Sequence, residues 1–252
     1  MIINLGGGVI TDMGGFIAST YKRGVDFVNI PTTLLSMVDA SIGSKTGINL
    51  NSIKNQIGLF SDPSMVIIDT SYLKTLSKRE INSGYSEIFK HSVISSHMYK
   101  ELIENPGLIY NENIIANSIE LKNKIVNEDK FEIGIRKYLN FGHTVGHLIE
   151  QDSKFTLSHG EAVAIGMIYE LELSKKHFGL PQEVIDLYVS YLEKLDYKKS
   201  YEFVNDIDYL LGILKDDKKS KSDSVDIVLL SDISQPNLIS ISFDELIEVI
   251  QN

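Results

Sequence analysis

Ile2-Ile3-Asn4-Leu5-Gly6-Gly7-Gly8, followed by Met13 to Tyr21 and by Val25-Asp26-Phe27-Val28-Asn29-Ile30, is the stretch that decides the fold class. Ile2 to Leu5 read as the end of a buried strand, and the three glycines as the loop that leaves it. Met13 to Tyr21 can form a helix, and Val25 to Ile30 a second strand stopped by Pro31. Met65-Val66-Ile67-Ile68-Asp69 adds a third run with the β-branched content of a covered parallel strand. This order is that of an α/β unit. Backbone amides at a helix start can cradle a phosphate, and glycine permits its close approach. The loop is not the Gly-x-Gly-x-x-Gly fingerprint, because Val9, Ile10 and Thr11 follow Gly8. A tight structural turn explains it equally well.

Beyond Leu73 the texture changes. Glu80 to Ser95, Asn113 to Asp129, Gly142 to Glu150, Gly160 to Phe178 and Glu183 to Leu195 carry helical spacing. Lys215 to Lys221 reads as a charged loop and Val225 to Leu230 as a strand. Asp244 to Ile250 reads as a closing helix with Ser242 as its N-cap. The expected organisation is an α/β portion over residues 1–72 and a mainly helical portion over 73–252.

Composition narrows the function classes. A chain of 252 residues, 43% hydrophobic, can bury a sizeable core. A net charge of -10 argues against a general nucleic-acid binder, which needs a basic face, but leaves room for a local cationic pocket. There is no cysteine, so any metal must be held by histidine and carboxylate. Met1 to Leu5 lack the basic start and long apolar run of a signal peptide, and Ala162 to Tyr169 is too short to span a bilayer. The expectation is a cytoplasmic protein without a membrane partner.

The strongest chemical signal is Gly142-His143-Thr144-Val145-Gly146-His147 with His159-Gly160-Glu161. His143 and His147 stand four apart, so on a helix they face one way, and His159 follows after a span long enough for a helix-turn return. Neutral imidazole is a common ligand for zinc and similar ions. Three glycines near helices cost stability without a reason, which weighs against a chance cluster. Glu87, Glu150 and Glu161 are the carboxylates that could complete a metal site, and spacing alone does not choose among them. Glu87 and Lys90 could equally be an i,i+3 surface pair. Lys45, Lys54, Lys90, Lys122 and Arg136 are isolated cations that could build an anion pocket, although each taken singly is more simply a solvated side chain. His91, His97 and His177 show no constellation and read as structural.

Several further segments, taken together, resemble the 3-dehydroquinate synthase family. They are Gly6 to Asp12, Tyr21-Lys22-Arg23-Gly24, Ile30 to Leu35, Val38 to Asn49, Lys54-Asn55, Ile68-Asp69-Thr70, Glu87 to Lys90, Leu139 to His147 and His159 to Val163. They occur in family order across nearly the whole chain. The resemblance implies a partial Rossmann-like NAD-binding domain followed by a mainly helical metal-binding domain. It implies conversion of 3-deoxy-arabino-heptulosonate 7-phosphate to 3-dehydroquinate and phosphate, with NAD and zinc, or cobalt in zinc's place, as cofactors. Glu87, His143 and His159 match the metal ligands. His147 matches a residue that contacts substrate and helps move protons. Asp39, Lys45, Asn55, Lys90, Lys122, Arg136 and Asn140 match substrate contacts, with Lys218 or Lys219 as a late substrate lysine. Arg23 matches an arginine that reaches the substrate phosphate across a homodimer interface. Gly8, Val9, Ile10, Thr11, Asp12, Thr32, Thr33, Lys45, Lys54, Tyr72, Leu73, Lys74 and Thr75 match the cofactor contacts.

Departures are small in the interior, where Ser44 stands for a usual glycine and Ser86 for a usual alanine. The larger one is at the front, where family members carry a further α/β segment before the triple glycine. The expectation is therefore a truncated member that binds zinc but holds NAD+ poorly unless that segment is supplied. The alternatives are a related sugar-phosphate cyclase such as 2-deoxy-scyllo-inosose synthase, a polyol dehydrogenase of the same fold, or an inactive metal-binding remnant.

Overall fold

The structure is a computed structural model and describes residues 1–50, 53–95, 98–105, 111–204, 206–216, 220–221 and 223–251. The first elements are β1 (Ile2–Gly6), α1 (Gly8–Thr20), β2 (Phe27–Pro31), β3 (Lys45–Leu50), β4 (Ile53–Phe60) and β5 (Met65–Val66). Helices α2 (Lys78–Ser95), α3 (Met98–Glu104), α4 (Glu112–Glu128), α5 (His143–Asp152), α6 (His159–Phe178), α7 (Gln182–Lys194) and α8 (Ile207–Asp216) follow. The chain closes with β6 (Ser220–Lys221), β7 (Ser224–Asp232), β8 (Gln235–Ser242) and α9 (Phe243–Gln251). Two compact units interleave along it: Met1–Ile88 with Ile109–Arg136, and Phe89–Leu108 with Lys137–Asn252. Helix α2 begins in the first unit and ends in the second.

In the first unit, β1, β2 and β5 form a parallel sheet in the order β1-β2-β5. The strand, glycine loop and helix expected at residues 2–21 are present, but α1 starts at Gly8 rather than Met13. The expectation of a buried first strand is corrected. Ile3 and Leu5 are exposed, and it is Asn4 that is buried, its Nδ2 donating to Asn29 Oδ1 at 2.9 Å on the neighbouring strand. Helix α1 can lie on this pair because residue 14 has no side chain: a Cβ there would stand 1.9 Å from Asn4 Oδ1. The third strand is short, and Ile67 beyond it is exposed. An antiparallel hairpin of β3 and β4 packs under α1, which the hydrophobic pattern does not mark. Phe27, Leu34, Met37 and Val38 fill the interior.

In the second unit, α5 and α6 lie against each other, and β6, β7 and β8 form an antiparallel sheet. Val145, Leu148 and Ile149 of α5, Ile165 and Leu173 of α6, Ile227 and Leu229 of β7, and Leu246 and Ile250 of α9 make one buried cluster. The charged loop expected at 215–221 is partly occupied by the ends of α8 and β6. Ser242 caps α9 as expected, its Oγ accepting from Glu245 N–H at 3.2 Å. The second half of α2 is anchored here. Phe89 stacks on Tyr188 and Tyr191 with ring centroids 4.5 and 5.3 Å away, and Ser234 N–H donates to Val93 O at 2.7 Å.

Helices α5 and α6 touch through their backbones. A Cβ at Gly166 would sit 2.2 Å from Gly142 O and 2.7 Å from Gly146 N, neither of which can swing aside. Gly166→Ala should therefore lower the unfolding free energy by about 2–3 kcal/mol, the cost of forcing a methyl into a packed interior. Gly212, inside α8, has nothing within 4 Å of its added Cβ, so Gly212→Ala should be neutral or stabilising by up to about 1 kcal/mol. Denaturant unfolding of the two variants beside wild type checks both signs.

Candidate metal and anion sites

In the second unit the structure brings His143, His147 and His159 together. The ring centroids of His143 and His159 are 5.2 Å apart, those of His143 and His147 5.5 Å, and those of His147 and His159 6.3 Å. His143 opens α5 and His147 follows one turn later, while His159 opens α6. Each end residue has one nitrogen directed at the protein. His143 Nδ1 lies 3.1 Å from Phe141 O, and His159 Nδ1 lies 3.4 Å from Glu150 Oε1. A carbonyl or carboxylate on Nδ1 fixes the tautomer that leaves Nε2 as the lone-pair donor, the usual arrangement behind a metal-bound imidazole.

The three candidate glutamates now separate. Glu161 belongs to the capping box of α6: its Oε2 accepts from Ser158 N–H at 2.6 Å, and Ser158 Oγ accepts from Glu161 N–H at 3.4 Å. Glu150, buried on α5, faces His159, and with His147 and His159 forms a group whose ligand atoms lie within 4.8 Å of one another. Glu87 is completely buried on α2, as is Lys90 one turn on. Full burial excludes the surface ion pair considered for Glu87 and Lys90. His91 is fully buried, His177 sits beside Glu245 in a surface cluster with Lys176, and His97 lies outside the described residues.

Glu170 is a residue of this neighbourhood that sequence reading missed. It is 0% exposed on α6, and its carboxylate accepts from Gly142 N–H at 2.6 Å and Thr144 N–H at 3.1 Å. No spacing rule links a mid-helix glutamate to amides 26 and 28 positions earlier.

The first unit gathers the charged residues. Gly8 opens α1 beside the π-helical turn Ser36–Ala40, where its added Cβ would meet Ala40 Cβ at 3.1 Å. Thr11 is buried and donates to Gly8 O, Val9 and Ile10 are exposed, and Thr33 Oγ1 accepts from Ser36 N–H at 3.2 Å. Asp39 lies in that turn. Lys122 Nζ, nearly buried on α4, reaches Asp39 Oδ1 and Asp39 O, both at 2.5 Å. Arg136 is buried and donates to Gly43 O at 2.7 Å and Lys130 O at 2.6 Å. Burial lowers its pKa, against the raising pull of Glu132, Asp39, Asp129 and Asp62. Asp129 organises the preceding loop by accepting from Ile133, Gly134 and Arg136 N–H. Burial opposes its ionisation, but these three bonds prevail and hold its carboxyl below the ordinary value. Lys45 pairs with Glu132 at the mouth of β3.

Other expected positions are more dispersed. Thr32 follows β2, and its N–H donates to Gly6 O. Tyr72, Leu73, Lys74 and Thr75 form a 3-10 turn in which Leu73 is buried and Lys74 and Thr75 are exposed. Arg23 is exposed at the end of the 3-10 turn Tyr21–Arg23 that follows α1, and lines an open groove with Ser19, Asp26 and Ser61. Asn140 ends the 3-10 turn Ile135–Asn140. Lys54 and Asn55 fall on β4, but their side chains lie outside the described residues, as do Lys218 and Lys219.

Comparison with known proteins gives a consistent answer. The family model described as 3-dehydroquinate synthase N-terminal matches residues 1–83, and that described as 3-dehydroquinate synthase C-terminal matches residues 84–220. A 3-dehydroquinate synthase of Parabacteroides distasonis is 42% identical over 241 residues, covering 92% of this chain and 68% of that protein. The solved 2-epi-5-epi-valiolone synthase from Streptomyces hygroscopicus subsp. jinggangensis, with NAD+ and Zn2+ bound, matches with a TM-score of 0.89 at 26% identity, covering 99% of this chain and 72% of that one. A solved 2-deoxy-scyllo-inosose synthase, complexed with carbaglucose-6-phosphate, NAD+ and Co2+, matches with a TM-score of 0.87 at 28% identity, covering 98% and 72%.

The charged cluster makes a testable statement about pH. Burial, then the Asp39 carboxylate, push the Asp12 carboxyl up to about 7 against the opposing pull of Lys122. Unfolding returns it to the ordinary 3.8, so between these values the folded chain keeps a proton that the unfolded chain has lost. Its contribution to stability therefore falls as pH rises through that window. Asp12→Asn cannot ionise. The metal-free variant should match wild type near pH 4 and exceed it in denaturation midpoint at pH 8. A difference that is the same at both pH values would exclude this account.

Proposed function

This chain belongs to the 3-dehydroquinate synthase family, and from that premise we propose that it converts 3-deoxy-arabino-heptulosonate 7-phosphate to 3-dehydroquinate and phosphate, using NAD+ and a divalent metal. The observation that carries the metal part is the imidazole cluster, in which His143 and His159 each turn Nδ1 to a protein oxygen. We assign Glu87, His143 and His159 as the ligands of zinc, with cobalt as the alternative ion. Donor chemistry supports this set: two neutral imidazoles and one fully buried carboxylate, in a chain without cysteine. Glu161 is engaged in a helix cap, and Glu150 is turned to the far side of the His159 ring. The site is proposed within a metal-binding module over 73–252, following an NAD-binding module over 1–72.

The bound groups would supply Lewis acidity toward the substrate hydroxyls and a reversible hydride acceptor. The chain's own residues supply the rest. His147, one helical turn from His143 with ring centroids 5.5 Å apart, is the proton-moving residue of the reading. Lys122 and Arg136 are immobilised cations that suit a carboxylate or phosphate, with Lys45, Asn55, Lys90, Asn140 and Asp39 as further substrate contacts. Gly8 to Asp12, Thr32, Thr33, Lys45, Lys54 and Tyr72 to Thr75 are assigned to NAD+, supported by the side-chain-free N-cap at Gly7 that opens α1. The family resemblance further supports a homodimer in which Arg23 serves the partner's site, and a cytoplasmic setting. Among the described residues no helix is long and apolar enough to cross a membrane.

Incubation of the protein with the heptulosonate phosphate, NAD+ and zinc should release phosphate and 3-dehydroquinate, read by mass spectrometry. Turnover of a hexose 6-phosphate in its place would favour a related cyclase, and turnover of neither would sink the reading. His143→Ala and Glu87→Ala should each lose the bound metal in elemental analysis. His147→Ala should keep it and lose about 100-fold or more in turnover, the typical worth of a positioned acid or base. Equal metal loss in all three would contradict the division of roles.

A further inference from the structure

We propose that Glu170 is the positioning residue for His143, serving as the N-cap that helix α5 cannot supply for itself. Helix α5 opens after Gly142, whose φ of +80° and close surroundings demand glycine: an added Cβ would stand 2.4 Å from Met167 Cγ and 3.0 Å from Val163 O. A residue without a side chain cannot cap, and the first amides of a helix have no acceptor within it. Glu170 reaches across from α6 and takes that place. Its Oε2 accepts from Gly142 N–H at 2.6 Å, and its Oε1 accepts from Thr144 N–H at 3.1 Å and Val145 N–H at 3.4 Å. These amides bracket His143 on both sides.

Glu170 lies where α6 packs against β7. It is 0% exposed, and its backbone oxygen accepts from Ser174 Oγ at 2.6 Å, while Ser174 Oγ accepts from Leu230 N–H of β7 at 2.9 Å. The contact also has an electrostatic side. The N-terminus of a helix carries a partial positive charge, which disfavours a cation bound at the first residue. An anion placed on those amides offsets that charge where His143 would receive a metal. Glu170 thus governs both the direction of the His143 ring and the local potential, without touching the ion. This role rests on the reading of His143 as a ligand.

The test is zinc titration against a chromophoric chelator for wild type, Glu170→Gln and Ser174→Ala, with the ligand-field spectrum of the cobalt-loaded proteins. A glutamine presents an N–H2 to amides that need an acceptor. Glu170→Gln should weaken zinc by about 10–100-fold, the usual loss when a residue behind a ligand is removed, and shift the cobalt bands. Ser174→Ala removes a buried hydrogen bond one turn away on the same helix. It should lower the melting temperature yet leave zinc affinity within about threefold and the cobalt bands in place. Unchanged affinity in Glu170→Gln, or equal weakening in Ser174→Ala, overturns the proposal. Wild type that takes up no zinc overturns the metal reading and this role with it. Should Glu170→Gln fail to fold, hydrogen exchange in metal-free wild type decides. Protection of the Thr144 and Val145 amides supports the cap, and exchange at the rate of open amides overturns it.

Discussion

The second unit depends on the backbone contact between α5 and α6. Gly142, Gly146 and Gly166 remove the side chains that would hold the two helices apart, so carbonyl and amide atoms of one approach the α-carbon of the other. Helix pairs separated by ordinary side chains stand about 8–10 Å apart. Closer approach leaves less room for adjustment, because backbone cannot change rotamer. The three imidazoles inherit that rigidity, since two of them open these helices and the third stands one turn in. The same economy of side chains forces the cap of α5 to come from elsewhere, which gives a fully buried carboxylate a place in the interior.

The first unit solves a different problem: how an acidic protein holds discrete positive groups in place. Lys122 is bound to one aspartate by both its carboxylate and its carbonyl, and Lys45 pairs with Glu132. These bonds carry the cations on defined elements, the π-helical turn and the 129–136 loop, instead of leaving them to sweep through solvent. Asp39 then sits close enough to Asp12 to oppose its ionisation, with Lys122 as the moderating charge. A net charge of -10 is therefore compatible with a cationic pocket, because the balance is decided over a few ångströms and not over the whole surface.

Much of this was legible in the sequence, for reasons that can be named. The strand, glycine loop and helix at the front, and the helices beyond residue 78, announce themselves by local periodicity. The histidine cluster was legible because two members are one turn apart and all three adjoin glycine. The Ser158-x-x-Glu161 spacing was also present, and read as a capping box it would have removed Glu161 from the ligand candidates at once. What local pattern could not show is pairing at a distance. The β3–β4 hairpin, the exposure of Ile3 and Leu5 beside buried Asn4, and the bond from Glu170 to amides more than twenty residues earlier are set by tertiary packing. Nor does type or spacing separate Glu150 from Glu87 as a metal-ligand candidate.

Arg136 carries a consequence of its own. Its guanidinium is held by the carbonyls of Gly43 and Lys130, both electrically neutral acceptors. The side chain is frozen during folding, so a ligand arriving there meets a donor whose conformational entropy has already been spent. An arginine free in solvent would have to surrender about 2 kcal/mol of rotamer freedom at the moment of encounter. Neither tether is a carboxylate, so Glu132, Asp39, Asp129 and Asp62 act on this guanidinium through space while its hydrogen bonds go to neutral oxygens. Tethering by carbonyls thus fixes the direction of this arginine without a direct carboxylate contact, so the order of the side chain does not depend on the protonation of any neighbour.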